Sequence, residues 1–255
     1  MRLLDSHCHL ADPDFADDLD EVLARARAVG VSRFICNASH EGSWTAVAAI
    51  PAAHDGVIPA FGIHPWFAEK AGEDWQTRLH EQLKTMPSAI GECGLDRVRE
   101  PRNEALQEQV FRDHIAISRD TGLPLSIHGA RAWNWLLSVL TDEAPLPPFL
   151  LHSYGGGAEM IPAFAKLGGN FSFSANILKP DNKKGRAALV HAPTDRLHIE
   201  TDSPDLPPPG FSPRNEPANL PLVLAEAARL LGLPEDDLAD RLQTNARALW
   251  GNLLD

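Results

Sequence analysis

The sequence predicts an α/β protein whose eight parallel strands and intervening helices close into a TIM-type (β/α)8 barrel. Short apolar runs alternate with longer stretches of helical spacing, and this alternation indicates βα units and a parallel sheet. Eight such units in 255 residues match the size of a closed barrel. An open doubly wound sheet would usually begin with a glycine-rich phosphate loop, and none follows the first apolar run.

The strands are predicted from short apolar runs that are bounded by turn residues. They cover residues 2–5, 33–36, 57–61, 89–91, 123–127, 149–151, 170–173 and 197–200.

The helices are predicted from apolar residues at three- and four-residue steps. In residues 17–28 this stripe consists of Leu19, Val22, Leu23 and Ala26. The same pattern predicts helices over residues 103–121, 131–140, 158–167 and 183–190, and two closing helices over residues 220–231 and 234–249. A proline-rich loop over residues 204–221 follows the last strand, and no linker separates a second domain, so residues 1–255 are expected to form one barrel.

The composition limits the classes of function. A formal net charge of −12 argues against a wide basic footprint for duplex DNA. Three cysteines form no disulfide framework, which fits a reducing compartment, and because they lack CxxC spacing a thiolate zinc site is not expected. The start of the chain does not have the pattern of a signal peptide, and no apolar run approaches the roughly 20 residues that span a bilayer. We therefore expect a cytoplasmic protein with no membrane contact.

The first candidate ligands are His7 and His9, which follow the first predicted strand. In an extended segment, side chains at positions i and i+2 point the same way, so both imidazoles can face one point. Cys8 then points to the opposite face and is expected to pack there. An HxH pair alone is a weak signal for metal binding.

Further candidate ligands follow other predicted strands. Because a parallel barrel brings its strand C-termini to one rim, side chains that are distant in the sequence meet there. Imidazoles and carboxylates in this number are too many for one tetrahedral ion but suit two ions that share a ligand. The predicted metal ligands are His7, His9, Glu92, His128, His152 and Asp202, and His64 ends the third strand at the same rim.

Seven motifs occur in an order that resembles the TatD-type metal-dependent nucleases, which are amidohydrolase-like barrels. They are DSHCHL at 5–10, GIHPW at 62–66, GECGLD at 91–96, LPLSIH at 123–128, LLHSYGGG at 150–157, ETDSPDL at 200–206 and RNEPANL at 214–220. Each motif is modest alone, but together they extend over nearly the whole chain and are highly specific.

The resemblance implies a two-metal site and assigns roles around it. It implies that His7, His9 and Asp202 bind one ion, that His128 and His152 bind the second, and that Glu92 bridges both. It also places His64 near the scissile group, and Arg214 and Glu216 in the loop that lines the mouth. Asp202 is expected to accept a proton as well as bind metal.

The sequence departs from the family pattern at two positions that bear on substrate binding. The run after GLD is usually aromatic and is Arg97–Val98–Arg99 here, and an arginine usual two residues after His128 is replaced by Ala130. Arg131 follows directly, and its guanidinium would be able to grip a phosphate with two hydrogen bonds. Arg131, Arg214 and Glu216 are therefore the predicted substrate-binding residues.

The sequence thus predicts a divalent-metal-dependent phosphodiesterase or deoxyribonuclease of the 3′-end exonuclease type, with Glu92, Asp202 and His64 as catalytic residues and a two-metal-activated water. Its expected substrate is a short single-stranded DNA or a nucleotide-type phosphodiester. Zinc or manganese suits the ligands best, and nickel, cobalt, iron and magnesium are alternatives. Two alternative hypotheses remain. One is a metal-dependent acyl or amide hydrolase, such as an amidohydrolase or aminoacyl-ester deacylase, and the other is an inactive metal-binding scaffold. The oligomeric state stays open.

Overall fold

Eight parallel strands lie in chain order in one sheet of the computed structural model, which describes residues 2–211 and 213–255. The strands are β1 (Leu3–Cys8), β2 (Val31–Asn37), β3 (Val57–Phe61), β4 (Ala89–Asp96), β5 (Leu125–Ala130), β6 (Phe149–Leu151), β7 (Asn170–Phe173) and β8 (Leu197–Ile199). Sequential strands pair with each other throughout. The predicted (β/α)8 barrel is confirmed.

The seam between the first and last strands is closed just beyond the end of β8. The Asp202 amide donates to the His7 carbonyl at 3.0 Å, and the His9 amide donates to the Ser203 carbonyl at 2.8 Å. The segments that carry candidate ligands therefore also join the two ends of the sheet.

The helices lie between the strands and after the last of them. They are α1 (Leu19–Ala28), α2 (Glu41–Ala53), α3 (Trp75–Thr85), α4 (Glu104–Thr121), α5 (Trp133–Asp142), α6 (Ile161–Lys166), α7 (Lys183–His191), α8 (Leu220–Leu231) and α9 (Glu235–Trp250). The longest, α4, begins where the Asn103 side chain accepts a hydrogen bond from the Leu106 amide at 3.1 Å. It ends at Gly122, which adopts the left-handed conformation (φ 70°) typical of a helix C-terminus.

Four strands, β1, β2, β4 and β5, run further than the sequence patterns predicted. β1, β4 and β5 continue through His7, Glu92 and His128, whereas the predicted strands ended before these residues. In a sequence, a polar residue after an apolar run is interpreted as the end of the strand. At a barrel rim such a residue keeps its backbone pairing, as His128 does with Gly94. The sequence patterns predicted no bounds for helices α2 and α3.

One end of the barrel is closed by the C-terminal helix. Trp250 and Leu249 of α9 pack with Ile35 and other apolar strand residues in a separate cluster inside the sheet. The Asn245 side chain donates to the Leu197 carbonyl at 2.8 Å, at the start of β8. Since α9 covers the end where the strands begin, the opposite rim is the end that can carry a site.

The three cysteines, Cys8, Cys36 and Cys93, are buried and free.

No helix within residues 2–211 and 213–255 combines the length and the apolar character that a membrane crossing needs.

Candidate metal centre

The predicted ligands meet at the rim where the strands end. His7, Glu92 and His128 lie in β1, β4 and β5, and the other three follow directly on their strands or close to them. Three groups of three side chains, drawn from these ligands and His64, could each hold a metal ion. Within each group the nitrogen and oxygen atoms that could bind it lie within 4.8 Å of one another. These groups are His7 with Glu92 and His152, His7 with His9 and Asp202, and His64 with Glu92 and His128.

Glu92 lies at the middle of the cluster, and its two carboxylate oxygens face different histidines. Oε2 is 3.5 Å from the Nε2 atoms of both His7 and His9. Oε1 is 2.7 Å from Nε2 of His152 and 2.9 Å from Nδ1 of His128. The carboxylate therefore divides the histidines into two pairs and contacts both.

Each histidine has one ring nitrogen that faces the middle of the cluster, here called the inner nitrogen. Within each pair the two inner nitrogens lie close together. The distance is 3.3 Å between Nε2 of His7 and Nε2 of His9, and 3.2 Å between Nδ1 of His128 and Nε2 of His152. Asp202 Oδ1 adds a third acceptor to the first pair, at 3.7 Å from His7 and 3.5 Å from His9. Lone pairs that converge in this way need a cation or a proton between them.

Outer hydrogen bonds fix which ring nitrogen carries the proton. His9 donates through Nδ1 to the Asn37 carbonyl at 3.0 Å, and His128 donates through Nε2 to Asp96 Oδ2 at 3.0 Å. A neutral imidazole has one N–H, so the inner nitrogens of these two rings are left as lone pairs. Metal-binding histidines have this arrangement. The donor set therefore fits divalent cations.

The outer nitrogens of the other two histidines also face polar groups, but within the described residues only that of His7 makes a hydrogen bond. Nδ1 of His7 lies 2.9 Å from Ser126 Oγ, and Nδ1 of His152 lies 3.4 Å from Glu200 Oε1. Glu200 is fully buried and also accepts a hydrogen bond from the Ser153 amide at 2.6 Å.

The outer carboxylates, Asp96 and Glu200, were not among the residues predicted from the sequence. Their sequence spacing could have indicated that they lie near the ligands, because alternate residues of an extended strand share a face. Asp96 lies four residues after Glu92 in β4, and Glu200 lies two residues before Asp202.

The surroundings set the charge of the cluster. Burial alone would raise the pKa of Glu92, but His152, His64 and His7 hold it well below its ordinary value. Burial also opposes charge on His9, yet Asp202 and Glu92 raise the pKa of His9 to about 9. Protons therefore compensate the carboxylates when no cation does, and a bound metal would have to displace them.

His64 differs from the other histidines of the rim. Its Nδ1 accepts the Trp66 backbone N–H at 3.1 Å, so the neutral ring carries its proton on Nε2, which lies 3.5 Å from Glu92 Oε1. Burial lowers the pKa of His64 to about 3. At neutral pH His64 is therefore a neutral hydrogen-bond donor that points into the cluster.

A cavity of about 550 Å³ lies over the cluster. Its walls combine five of the six candidate ligands (all but the fully buried His7) with acidic side chains (Asp12 and Asp205), an exposed indole (Trp66) and a guanidinium (Arg99). His40, to which the sequence analysis gave no role, also lines it.

The three predicted substrate-binding residues do not line this cavity. Arg214 forms an ion pair with Asp18, and Glu216 accepts hydrogen bonds from Arg25, with 2.6 Å between Glu216 Oε2 and Arg25 Nη2. Arg131 is exposed beyond the end of β5. The structure does not bring them to the cluster, and their substrate roles stay predictions.

A closed parallel barrel with histidines and carboxylates clustered at its C-terminal rim defines a class of metal-dependent hydrolases. The family model described as "TatD related DNase" matches residues 4–251. The chain belongs to the TatD family, and it is a metal-dependent hydrolase that acts on ester bonds. The resemblance stated from the motifs is confirmed.

Relatives of known name are similar over their whole length. The uncharacterized metal-dependent hydrolase YabD of Bacillus subtilis is 31% identical over 253 residues, which are 97% of this chain and 98% of that protein. A 3′-5′ ssDNA/RNA exonuclease TatD of Edwardsiella piscicida is 31% identical over 259 residues, covering 97% and 99%. The crystal structure of YjjV, a TatD homologue from Escherichia coli K12, superposes with a TM-score of 0.93 at 28% identity and covers 98% of each chain.

Proposed function

We propose that this hydrolase is a divalent-metal-dependent phosphodiesterase, a nuclease that removes nucleotides from the 3′ end of short single strands. The observation that carries the proposal is Glu92, whose two oxygens face separate histidine pairs as a carboxylate shared by two ions would. The name of the Edwardsiella relative, an exonuclease on single-stranded DNA and RNA, supports the substrate class.

Two divalent ions would be held at the rim, with Glu92 between them. His7, His9 and Asp202 would hold one, and His128 and His152 the other. Such ions would polarise a phosphoryl oxygen and lower the pKa of an attacking water. Zinc or manganese suits a set of imidazoles and carboxylates better than magnesium does.

Asp202 and His64 would handle protons and charge around the scissile phosphate. Burial would raise the pKa of Asp202, but the hydrogen bond with His9 and the nearby His152 and His7 keep it below its ordinary value. Asp202 is therefore ionised at neutral pH and able to accept a proton from the attacking water. His64, with its proton on Nε2, would donate a hydrogen bond to the phosphate or the leaving oxygen.

The acidic wall of the cavity supports action at strand ends. Asp12 and Asp205 lie on the side of Asp202, and burial together with the charge of Asp202 raises the pKa of Asp205. These carboxylates would repel a phosphate but accept a hydrogen bond from a terminal hydroxyl. A 3′-hydroxyl end would be bound here, and a 3′-phosphorylated end would be rejected.

An activity screen tests this function. Protein supplied with manganese or zinc is offered bis(p-nitrophenyl) phosphate, single-stranded oligonucleotides with a 3′-hydroxyl or a 3′-phosphate, and an aminoacyl ester. We expect hydrolysis of the diester and stepwise release of mononucleotides from the 3′-hydroxyl strand, with the 3′-phosphorylated strand cut more slowly. Hydrolysis of the aminoacyl ester without any phosphodiester cleavage would instead establish the acyl hydrolase.

Replacing the shared carboxylate tests the role of Glu92. Glu92→Gln should lower kcat by roughly 1,000-fold or more, because charge stabilisation of several kcal/mol depends on the ions it connects. Elemental analysis should find less than the full complement of metal in the purified variant. Glu81→Gln, which removes an exposed carboxylate in α3, is the matched control. A Glu92→Gln variant that keeps half of the rate would rule out a bridging role.

A further inference from the structure

Among the residues that the structure describes, Arg99 is the only lysine or arginine that lines the cavity over the cluster. Its neighbours Arg97 and Arg102 are held in ion pairs, at 2.8 Å and 3.0 Å from Glu104. No carboxylate of the described residues pairs with the Arg99 guanidinium, which is therefore free to bind an anion.

Trp66 lies beside this guanidinium with almost half of its side chain exposed. The residue is 45% exposed, and Cζ of Arg99 lies 5.2 Å from the centroid of the indole. The ring of His64 also contacts the indole edge to face, with its centroid 4.8 Å from that of Trp66. An exposed indole next to a free guanidinium is a combination that stacks bases and binds phosphates in single-strand channels.

A second cavity, of about 210 Å³, begins where the first one ends. Trp66 and Arg99 line both, so the two side chains stand at the junction between them. The outer cavity continues over Lys70, Glu69 and Asn103, and over Glu100, which is paired with Arg102. A chain molecule that extends from the cluster toward the outer cavity would therefore pass Trp66 and Arg99.

The distribution of charge gives this path a direction. Asp205 follows β8 and Arg99 follows β4, and strands four positions apart in an eight-stranded barrel stand on opposite sides. The carboxylates of Asp205 and Asp12 repel phosphates on their side. The anionic part of a substrate is thus directed toward Arg99.

We propose that Trp66 and Arg99 form a second nucleotide subsite, which binds the nucleotide on the 5′ side of the scissile phosphate. The base of that nucleotide stacks on the indole, and its own 5′-phosphate is bound by the guanidinium. This inference rests on the proposed nuclease function, since it assigns the next position of the same strand. It makes a free monoester or a small diester a poorer substrate than a strand of three or more nucleotides.

Kinetics on long and short substrates test the subsite. Arg99→Gln and Trp66→Leu should each raise the KM for a short thymidine oligonucleotide by roughly tenfold. Hydrolysis of bis(p-nitrophenyl) phosphate, which has no 5′-phosphate for Arg99 to bind and no further nucleotide, should be impaired much less than hydrolysis of the oligonucleotide, because the candidate ligands are unchanged. Arg99→Lys and Trp66→Phe should keep part of the oligonucleotide affinity. Arg241→Gln, which removes an exposed guanidinium in α9, is the control.

Equilibrium binding separates the subsite from the catalytic function. Calorimetric titration with the same oligonucleotide, without added metal, should show Kd values about tenfold higher for Arg99→Gln and Trp66→Leu. If the enzyme cleaves phosphodiesters but both variants bind and cleave the oligonucleotide normally, the subsite is refuted and the nuclease function stands. If the variants weaken binding but no phosphodiester is cleaved, the subsite stands and the proposed reaction is refuted. Equal losses on the diester and the oligonucleotide would also overturn the subsite.

Discussion

Glu200 is a buried carboxylate that contacts the candidate ligands through His152. Its Oε1 accepts the Ser153 amide and lies 3.4 Å from Nδ1 of His152, while Oε2 has no partner within the described residues. A carboxylate behind a ligating imidazole holds the ring in place and raises its basicity. Glu200 is therefore a positioning residue for His152.

Substitution of Glu200 should weaken metal binding without unfolding the protein. Glu200→Gln keeps an oxygen for the Ser153 amide but removes the charge, so the Kd for manganese or zinc should rise by roughly 10- to 100-fold. Metal titration followed by calorimetry measures the change, and the melting temperature of the metal-free variant checks the fold. An unchanged Kd would make Glu200 a structural residue only.

At the scale of residues, the sequence predicted the cluster better than its surroundings. The six ligand candidates follow one rule, that barrel strands end at a common rim, and the structure gathers them there. The position of Arg99 in the cavity wall could not be predicted by this rule, because Arg99 lies in a loop and tertiary packing determines where its side chain lies. The pairing of Arg214 with Asp18, from opposite ends of the chain, was beyond sequence reasoning for the same reason.

The pairing of β4 with β5 depends on a glycine. Gly94 has a φ of +141°, and a Cβ atom at this position would lie 2.1 Å from the carbonyl oxygen of His128. This carbonyl belongs to the backbone, so it cannot move aside without shifting the strand that carries a candidate ligand. The close approach of the two strands therefore fixes where the His128 ring stands.

Gly94→Ala should consequently destabilise the barrel by about 3 kcal/mol and disrupt the cluster, since it combines overpacking with backbone strain. Urea unfolding measures the first effect, and metal content measures the second. Gly155→Ala is the matched control, because a Cβ atom there meets nothing closer than 3.8 Å. If both variants unfold at the same urea concentration, the close approach does not determine the geometry of the rim.

Elements were predicted most accurately where one face of the chain is uniformly apolar. Strands β3, β6 and β7 and helix α8 have the bounds that the patterns predicted. The predicted helix over 158–167 instead begins with a 3₁₀ turn over Ala158–Met160, and α6 starts after it with Pro162 in its first turn. Proline fits the first turn of a helix but not its interior, so it fixes the start of α6 there.

Across the whole molecule, buried histidines couple stability to pH. His114 joins α4 to the segment after β3, donating to the Val110 carbonyl at 2.7 Å and accepting the Ile63 amide at 3.1 Å. Burial lowers the pKa of His114 to about 4, and burial lowers that of His198 to about 3. In the unfolded chain both rings bind protons near their ordinary pKa of 6.5.

The free energy of unfolding should therefore fall as pH drops from about 6.5 toward 4, because the unfolded state binds protons that the folded state excludes. Each of these histidines contributes about 1.4 kcal/mol per pH unit over that interval. His114→Gln should reduce the slope by this amount, as measured by urea unfolding at pH 7.5 and pH 5. Ile117→Val, a buried apolar change in the same helix, should lower stability equally at both pH values. A slope unchanged by His114→Gln would contradict the assignment.

The seam of the barrel has a consequence for how the protein is made. The backbone bonds between His7 and Asp202 and between His9 and Ser203 join segments that are 195 and 194 residues apart in the sequence. During translation, five of the six candidate ligands emerge before Asp202, but the rim that orients them closes only when the last strand arrives. A chain that ends before β8 is thus expected to lack the assembled cluster, so that acquisition of the cofactor marks the arrival of the last strand.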